Sequence, residues 1–93
     1  MMRLSEAELA NAVCLHMAER RGIRPEAVRV EFVYDEEQGF SAELNVEGRD
    51  IVWIEANMAE AVMRYVFHRY GRRCFREDIV FRLEDEIVAD VAV

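Results

Sequence analysis

Residues Phe40 to Trp53 read FSAELNVEGRDIVW, and this stretch decides the fold. Apolar and polar residues alternate on both sides of Glu47-Gly48, which is typical of strands with one buried face. A two-residue hairpin turn at Glu47-Gly48 brings the apolar positions of both strands onto the same face. The register pairs Val46 with Arg49, Leu44 with Ile51 and Ala42 with Trp53. The stretch therefore predicts an antiparallel hairpin with strands over about Phe40 to Val46 and Arg49 to Glu55.

Two helices and three further strands are predicted around this hairpin. Ser5 with Glu8 and Asn57 with Glu60 match the capping pattern of helix starts, and each helix is followed by a glycine suited to a left-handed cap. The remaining strands show alternating apolar residues. The predicted helices run from Ser5 to Gly22 and from Asn57 to the residue before Gly71, and the strands are Val28 to Tyr34, Ile79 to Glu84 and Ile87 to Val93.

The connection between the last two strands is predicted to have three residues. A two-residue turn would place Phe81 opposite Asp90, whereas a three-residue loop pairs Leu83 with Ile87 and Phe81 with Ala89. The resulting order is α-β-β-β-α-β-β. It predicts one α+β domain over residues 1–93, an antiparallel sheet with two helices packed on one face.

The composition excludes several classes of protein. The chain has no lysine and no threonine, which excludes a P-loop and a Schiff-base lysine. The net charge of −7 disfavours nucleic acid and anionic membranes as partners. No apolar run is long enough to span a membrane, and the first residues do not resemble a signal peptide. We therefore expect a cytoplasmic protein in which Cys14 and Cys74 are free thiols.

The second helix has an unusually wide apolar arc, which predicts protein contacts on two sides. Met63, Phe67 and Tyr70 extend this arc beyond the stripe that faces the core. The apolar fraction of 53% also leaves surface to be covered. Either the C-terminal hairpin or a second chain covers these residues, and we favour a homodimer or another protein partner docking there.

An arginine cluster gathers around the end of the second helix, in a chain that is otherwise acidic. Such a cluster indicates docking of an acidic partner, a phosphate ligand or RNA. The alternative is that these charges stabilise the helix C-terminus and pair with the chain's own carboxylates. The cluster consists of Arg64, Arg69, Arg72, Arg73 and Arg76.

No metal or cofactor site is expected. Cys14 and His16 project about 200° apart on a helix, and His68 with Cys74 supplies only two ligands. The acidic turns at residues 35–37 and 84–86 lack calcium-loop spacing.

Cysteine chemistry is an alternative hypothesis, because neighbouring arginines would lower the pKa of the Cys74 thiol and His68 could act as a base. No oxyanion-hole segment is visible, so we expect no catalytic activity.

Two resemblances add to these inferences. The α-β-β-β-α portion has the element order of double-stranded-RNA-binding domains, but the second helix has no lysine near its start and no matching basic motif is present. The runs Gly39 to Glu43, Gly48-Arg49 and Ile54 to Asn57 resemble the YxcD-like family of small uncharacterised proteins from Bacillus relatives. That resemblance implies a small cytosolic bacterial protein and supplies no catalytic residues.

Together these observations predict a protein-protein interaction or homodimeric module without catalytic activity. A phosphate- or nucleic-acid-binding module that uses the arginine cluster is the alternative.

Overall fold

The computed structural model describes all residues from Met1 to Val93, in the order β-α-β-β-β-α-β-β. The α+β class is confirmed. The elements are β1 (Met2–Leu4), α1 (Glu6–Arg21), β2 (Val28–Asp35), β3 (Gly39–Val46), β4 (Arg49–Ile54), α2 (Glu55–Tyr70), β5 (Ile79–Leu83) and β6 (Ile87–Val91), with 3-10 turns at Pro25–Ala27 and Arg76–Asp78.

The strands form two three-stranded antiparallel sheets, in the orders β2-β3-β4 and β1-β6-β5. This corrects the prediction of a single sheet with five strands. The additional strand, β1, pairs Met2 with Val91 and Leu4 with Ala89. Three residues are too few to show a periodic pattern, so the sequence did not indicate β1. This strand forms because the edge of β6 provides it with a pairing partner.

Both predicted hairpin registers are confirmed. In β3 and β4, Leu44 pairs with Ile51 and Ala42 pairs with Trp53. Glu47 and Gly48 have φ values of 53° and 81°, as the turn between two such strands requires. In β5 and β6, Phe81 pairs with Ala89 and Leu83 pairs with Ile87, across the three-residue loop.

The two helices begin differently from one another. Ser5 precedes α1, and its hydroxyl accepts a hydrogen bond from the Glu8 N–H, as predicted. Helix α2 begins at Glu55, two residues before the predicted start. Asn57 therefore lies inside the first turn, and its side-chain oxygen accepts from the Ile54 N–H at 3.1 Å.

Glu55 also joins the start of α2 to β3. Its Oε2 accepts a hydrogen bond from the Phe40 N–H at 3.0 Å, replacing the strand partner that β4 no longer provides. Gly39 has a φ of 81°, and a Cβ at this position would lie 2.5 Å from the same Glu55 oxygen. Gly39 is thus required for its backbone conformation and for this close approach.

One core joins both helices and both sheets. On β3, Ala42, Leu44 and Val46 are buried, whereas Glu43 on the opposite face is exposed. The helices therefore cover one face of the β2-β3-β4 sheet and leave the other open. Neither 16-residue helix has the length and apolarity needed to cross a lipid bilayer.

Candidate functional site

The arginine cluster divides into paired and unpaired members. Arg64 forms an ion pair with Glu19 on α1, with 2.6 Å between Nη2 and Oε1. Arg76 lies 3.6 Å from Glu55 and also donates to the Ile79 carbonyl oxygen. These two arginines are partly neutralised by the chain's own carboxylates, as the structural alternative predicted.

The other three arginines have no carboxylate partner. The guanidinium carbon of Arg73 lies 5.7 Å from the centre of the Phe67 ring, and that of Arg69 lies 5.5 Å from the Tyr70 ring. Arg72 makes no side-chain hydrogen bond or ion pair, and all three residues are exposed. Stacking on an aromatic face orients a guanidinium without cancelling its charge. A positive surface therefore remains at this end of the molecule.

A groove of about 510 Å³ lies beside these arginines, between the last turns of α2 and the segment that follows. Gly71 ends the helix in a left-handed conformation, so the chain turns back along it. Phe67 and Phe75 are 47% and 59% exposed. The groove is lined by Met63, Arg64, Phe67, His68, Arg73, Cys74 and Phe75.

The structure separates Tyr70 from the other members of the predicted interaction face. Met63 and Phe67 line the groove, but Tyr70 does not. The Tyr70 hydroxyl donates to Glu8 Oε2 at 2.6 Å, and Tyr65 contacts the same carboxylate oxygen. This hydrogen bond raises the pKa of Tyr70. Tyr70 thus joins the end of α2 to α1, although 41% of it remains exposed.

The C-terminal hairpin does not cover the outer side of α2, because Phe67 and Tyr70 both remain exposed beside it. Phe75 also lines the groove, although the sequence did not predict it as part of the interaction face. The path from Arg72 to Phe75 has no periodic secondary structure, so no pattern in the sequence indicated that this ring would line the same groove as Phe67.

Cys74 does not have the environment that its arginine neighbours suggested. It is buried, and burial followed by the charge of Asp78 raises the pKa of its thiol. The sequence prediction of a lowered pKa is therefore wrong, because Cys74 is buried, whereas Arg73 stacks on Phe67 and Arg76 lies beside Glu55. A thiol with a raised pKa stays protonated at neutral pH and is a poor nucleophile.

Cys14 and His16 point in different directions, as their spacing on α1 predicted. The Cys14 thiol donates to the Val28 carbonyl oxygen at 3.6 Å, and burial raises its pKa. His16 points toward Trp53, with 5.5 Å between ring centres. No three His, Cys, Asp or Glu side chains are grouped in a way that could hold a metal ion.

His16 is buried, which sequence reasoning missed. Its exposed fraction is 6%, and neither ring nitrogen has a hydrogen-bond partner within the chain. Burial lowers its pKa, and Arg64 and Arg20 act in the same direction against Glu60. The i, i+4, i+7 spacing of Leu9, Val13 and His16 carried a usable signal, because it places His16 on the buried stripe of α1.

The acidic turns serve local structural roles. Asp35 Oδ1 accepts hydrogen bonds from the N–H groups of Glu37 and Gln38, closing the loop between β2 and β3. Glu84 pairs with Arg3 at 2.7 Å, and Glu86 accepts from the Glu6 N–H at the start of α1.

Comparisons with known proteins identify a family without assigning an activity. Neither the curated proteins nor the solved structures include a match to this chain. Residues 1–86 match the family described as a protein of unknown function, DUF2653. Because the match covers all but the last seven of the 93 residues, this chain belongs to the DUF2653 family.

Proposed function

We propose that this protein is a non-catalytic protein-docking module, and that its groove binds an acidic segment of a partner protein. The observation that carries the proposal is an exposed aromatic groove lined by Arg73, which has no carboxylate partner in the chain, with the unpaired Arg72 next to it in the sequence. In keeping with the resemblance to the YxcD-like family, we propose that the module acts in the bacterial cytoplasm.

The apolar part of the groove supports docking of a side chain. Phe67 and Phe75 are both about half exposed or more and line the same depression with Met63. Exposed aromatic residues that share a concave surface are typical of protein interaction sites. A Phe or Leu of a partner placed in this groove would lose its contact with water, which is the main favourable term in such contacts.

The charges around the groove favour an acidic partner. Arg73 lies on the Phe67 ring, and Arg72 is adjacent and unpaired. No Asp or Glu is among the residues that line the groove. Because guanidinium groups bind carboxylates bidentately, carboxylates flanking the docked side chain would add specificity and speed association.

A second copy of this chain fits the groove less well than an acidic segment. In a two-fold contact, each surface meets its own copy. If the two-fold axis passed through the groove, Arg73 and the neighbouring Arg72 of one copy would lie close to the same residues of the other, and like charges in contact cost several kcal/mol. The expected homodimer through Met63, Phe67 and Tyr70 is therefore the second choice for this face.

The test is to select, from a displayed library of random peptides, those that bind the wild-type protein. Peptides that also bind the Phe67→Glu variant are then removed. We expect the retained peptides to combine an aromatic or leucine residue with several Asp or Glu. Their binding should fall at least tenfold in Arg72→Ala/Arg73→Ala and weaken with added salt.

Arg29→Ala is the matched control, because Arg29 is an exposed arginine on a different face, in β2. It should leave peptide binding unchanged. Recovery of no groove-dependent peptide would contradict the proposal. Salt-sensitive binding of an RNA oligonucleotide or of inorganic phosphate, lost in the same double variant, would favour the alternative function instead.

A further inference from the structure

Strand β4 forms one edge of the β2-β3-β4 sheet, and its outer side is open. Val52 and Ile54 are 62% and 61% exposed, the highest values among the strand residues with large apolar side chains. This edge shares no residue with the groove at the end of α2.

The backbone groups of Asp50 and Val52 point away from the sheet. In a hairpin with a two-residue turn, the flanking residues Val46 and Arg49 form a hydrogen-bonded pair. Hydrogen-bonded pairs then recur every second residue, so Ile51 and Trp53 bond to β3 while Asp50 and Val52 face outward. By the same alternation, the Ile54 N–H also points away from β3.

The contact between Ile54 and Asn57 confirms this phase independently. The Ile54 N–H donates to the Asn57 side chain instead of to β3. The groups left without a strand partner are therefore the N–H and C=O of Asp50 and Val52, together with the Ile54 carbonyl oxygen.

The edge has few of the features that normally prevent pairing between chains. Exposed edges are usually protected by charged side chains, especially lysine, by proline or by a bulge, and the charged residues of β4 are confined to Arg49 and Asp50 at its start. Strand β4 contains no lysine or proline, and its pairing with β3 is continuous from Arg49 to Ile54. At the other edge of the sheet, Arg29 and Glu31 occupy the open face of β2, whereas the open face of β4 carries one charged residue, Asp50, and the two exposed apolar residues Val52 and Ile54.

We propose that two copies of this chain pair through β4, antiparallel and about a two-fold axis at Val52. Val52 then lies opposite the partner's Val52, and Asp50 opposite the partner's Ile54. The β2-β3-β4 sheets of the two copies would then join into one sheet of six strands. The side chains of Val52 and Ile54 from both copies form a single apolar strip on its open face.

Charge complementarity favours a second copy as the occupant of this edge. The same register places Arg49, which is exposed and has no ion pair, opposite the partner's Glu55 at each end of the contact. The Glu55 carboxylate already accepts from the Phe40 N–H and lies 3.6 Å from Arg76, and because its side chain is 36% exposed, Arg49 would be an additional partner. Opposite charges facing one another across strands stabilise pairing. Because the two-fold contact uses the β4 edge of both copies, the assembly closes at two chains.

The test combines mass in solution with amide hydrogen exchange. Sedimentation velocity should show the mass doubling as concentration rises, with a dissociation constant of roughly 1 mM or lower. In the same concentration series, exchange of the Asp50 and Val52 amides should slow at least fivefold as dimer forms. Amides on the exposed β2 edge should not change.

Val52→Pro should abolish the dimer, because it removes an outward N–H that would bond to the partner strand. The variant should still fold, because this N–H takes no part in the sheet of the single chain and proline is tolerated at such edge positions. Val52→Thr is the control, because it keeps the N–H and the β-branched shape. Circular dichroism checks that both variants fold. Phe67→Glu should leave the dimer intact.

A mass that stays monomeric up to roughly 1 mM would overturn the proposal. A dimer that is lost in Phe67→Glu but kept in Val52→Pro would also overturn it, and would locate the contact at α2. If Val52→Pro fails to fold, the amide exchange of the wild-type protein decides the question alone.

Discussion

At the scale of single residues, His16 has the least expected environment. A buried imidazole without a hydrogen-bond partner is uncommon in proteins, since its nitrogen atoms lose their contacts with water. Four charged side chains surround it: Glu19 and Arg20 on α1, and Glu60 and Arg64 on α2. The closest of these contacts is 3.8 Å, from His16 Nε2 to Glu60 Oε1.

The lowered pKa of His16 makes stability depend on pH. The folded protein binds a proton on this imidazole less readily than the unfolded chain, in which the ordinary pKa of 6.5 applies. The unfolded state therefore binds more protons in this range, so the free energy of unfolding falls as pH decreases through 6.5 and below. The largest slope that one group can cause is about 1.4 kcal/mol per pH unit.

His16→Leu should flatten this pH dependence and preserve or raise stability at pH 7, because it fills the same space beside Trp53 without unpaired nitrogens. Urea unfolding measured between pH 7 and pH 5 checks the prediction. His68→Leu is the control, since His68 is exposed, and it should keep the wild-type profile. Equal slopes for His16→Leu and the wild type would contradict the prediction.

At the scale of elements, an ion network holds the β1-β6-β5 sheet together. Asp90 in β6 has a side chain that is only 8% exposed. Arg3 of β1 binds it through two hydrogen bonds, of 2.7 and 3.0 Å, and Arg82 of β5 donates a third at 2.9 Å. These bonds lower the pKa of Asp90, with Arg3 contributing most. One carboxylate thus joins all three strands.

Asp90→Ala should destabilise the protein by about 1.5–3 kcal/mol, because it removes hydrogen bonds to a buried carboxylate, while the two half-exposed arginines that remain can be hydrated. Glu84→Ala is the matched comparison. Glu84 also binds Arg3 but is 46% exposed, so its loss should cost less than about 1 kcal/mol. Urea unfolding at neutral pH measures both changes, and similar losses for the two variants would show that burial does not govern the network.

The same network shows which elements the sequence could predict. The β3-β4 and β5-β6 hairpins were predictable because alternation along a strand and turn length together determine their registers. Strand β1 was not, because it depends on a partner 87 positions away and has only three residues. The start of α2 was misjudged because an asparagine side chain can accept a backbone N–H from either of two positions, the cap or the third residue of the helix. Asn57 is the third residue, and it accepts from the Ile54 N–H.

At the scale of the whole molecule, the candidate site was predictable in part. The position of Met63 and Phe67 on one face follows from helical geometry, and the arginines near the end of α2 follow from the sequence itself. The exposure of Phe75 and the contact of Tyr70 with Glu8 depend on the chain path after Gly71 and on the packing of α1 against α2. Neither leaves a periodic signal.

A single core also predicts how the molecule unfolds. Leu4 in β1 and Trp53 in β4 lie in different sheets, yet both belong to one cluster of 20 buried residues. Leu4 is completely buried, so Leu4→Ala should cost about 2–5 kcal/mol. Because the two sheets share this core, the loss should affect the whole chain and not only the β1-β6-β5 sheet.

Trp53 is the only tryptophan, so its fluorescence reports on the sheet that does not contain Leu4. In urea, the fluorescence and far-ultraviolet circular dichroism transitions of Leu4→Ala should coincide and shift together from the wild-type midpoint. Leu15→Ala is the matched control, because Leu15 is 48% exposed and should change stability by less than about 1 kcal/mol. A fluorescence midpoint that stays at its wild-type value while the circular dichroism midpoint falls would mean that the two sheets unfold separately. The shared core would then hold them together without making them cooperative.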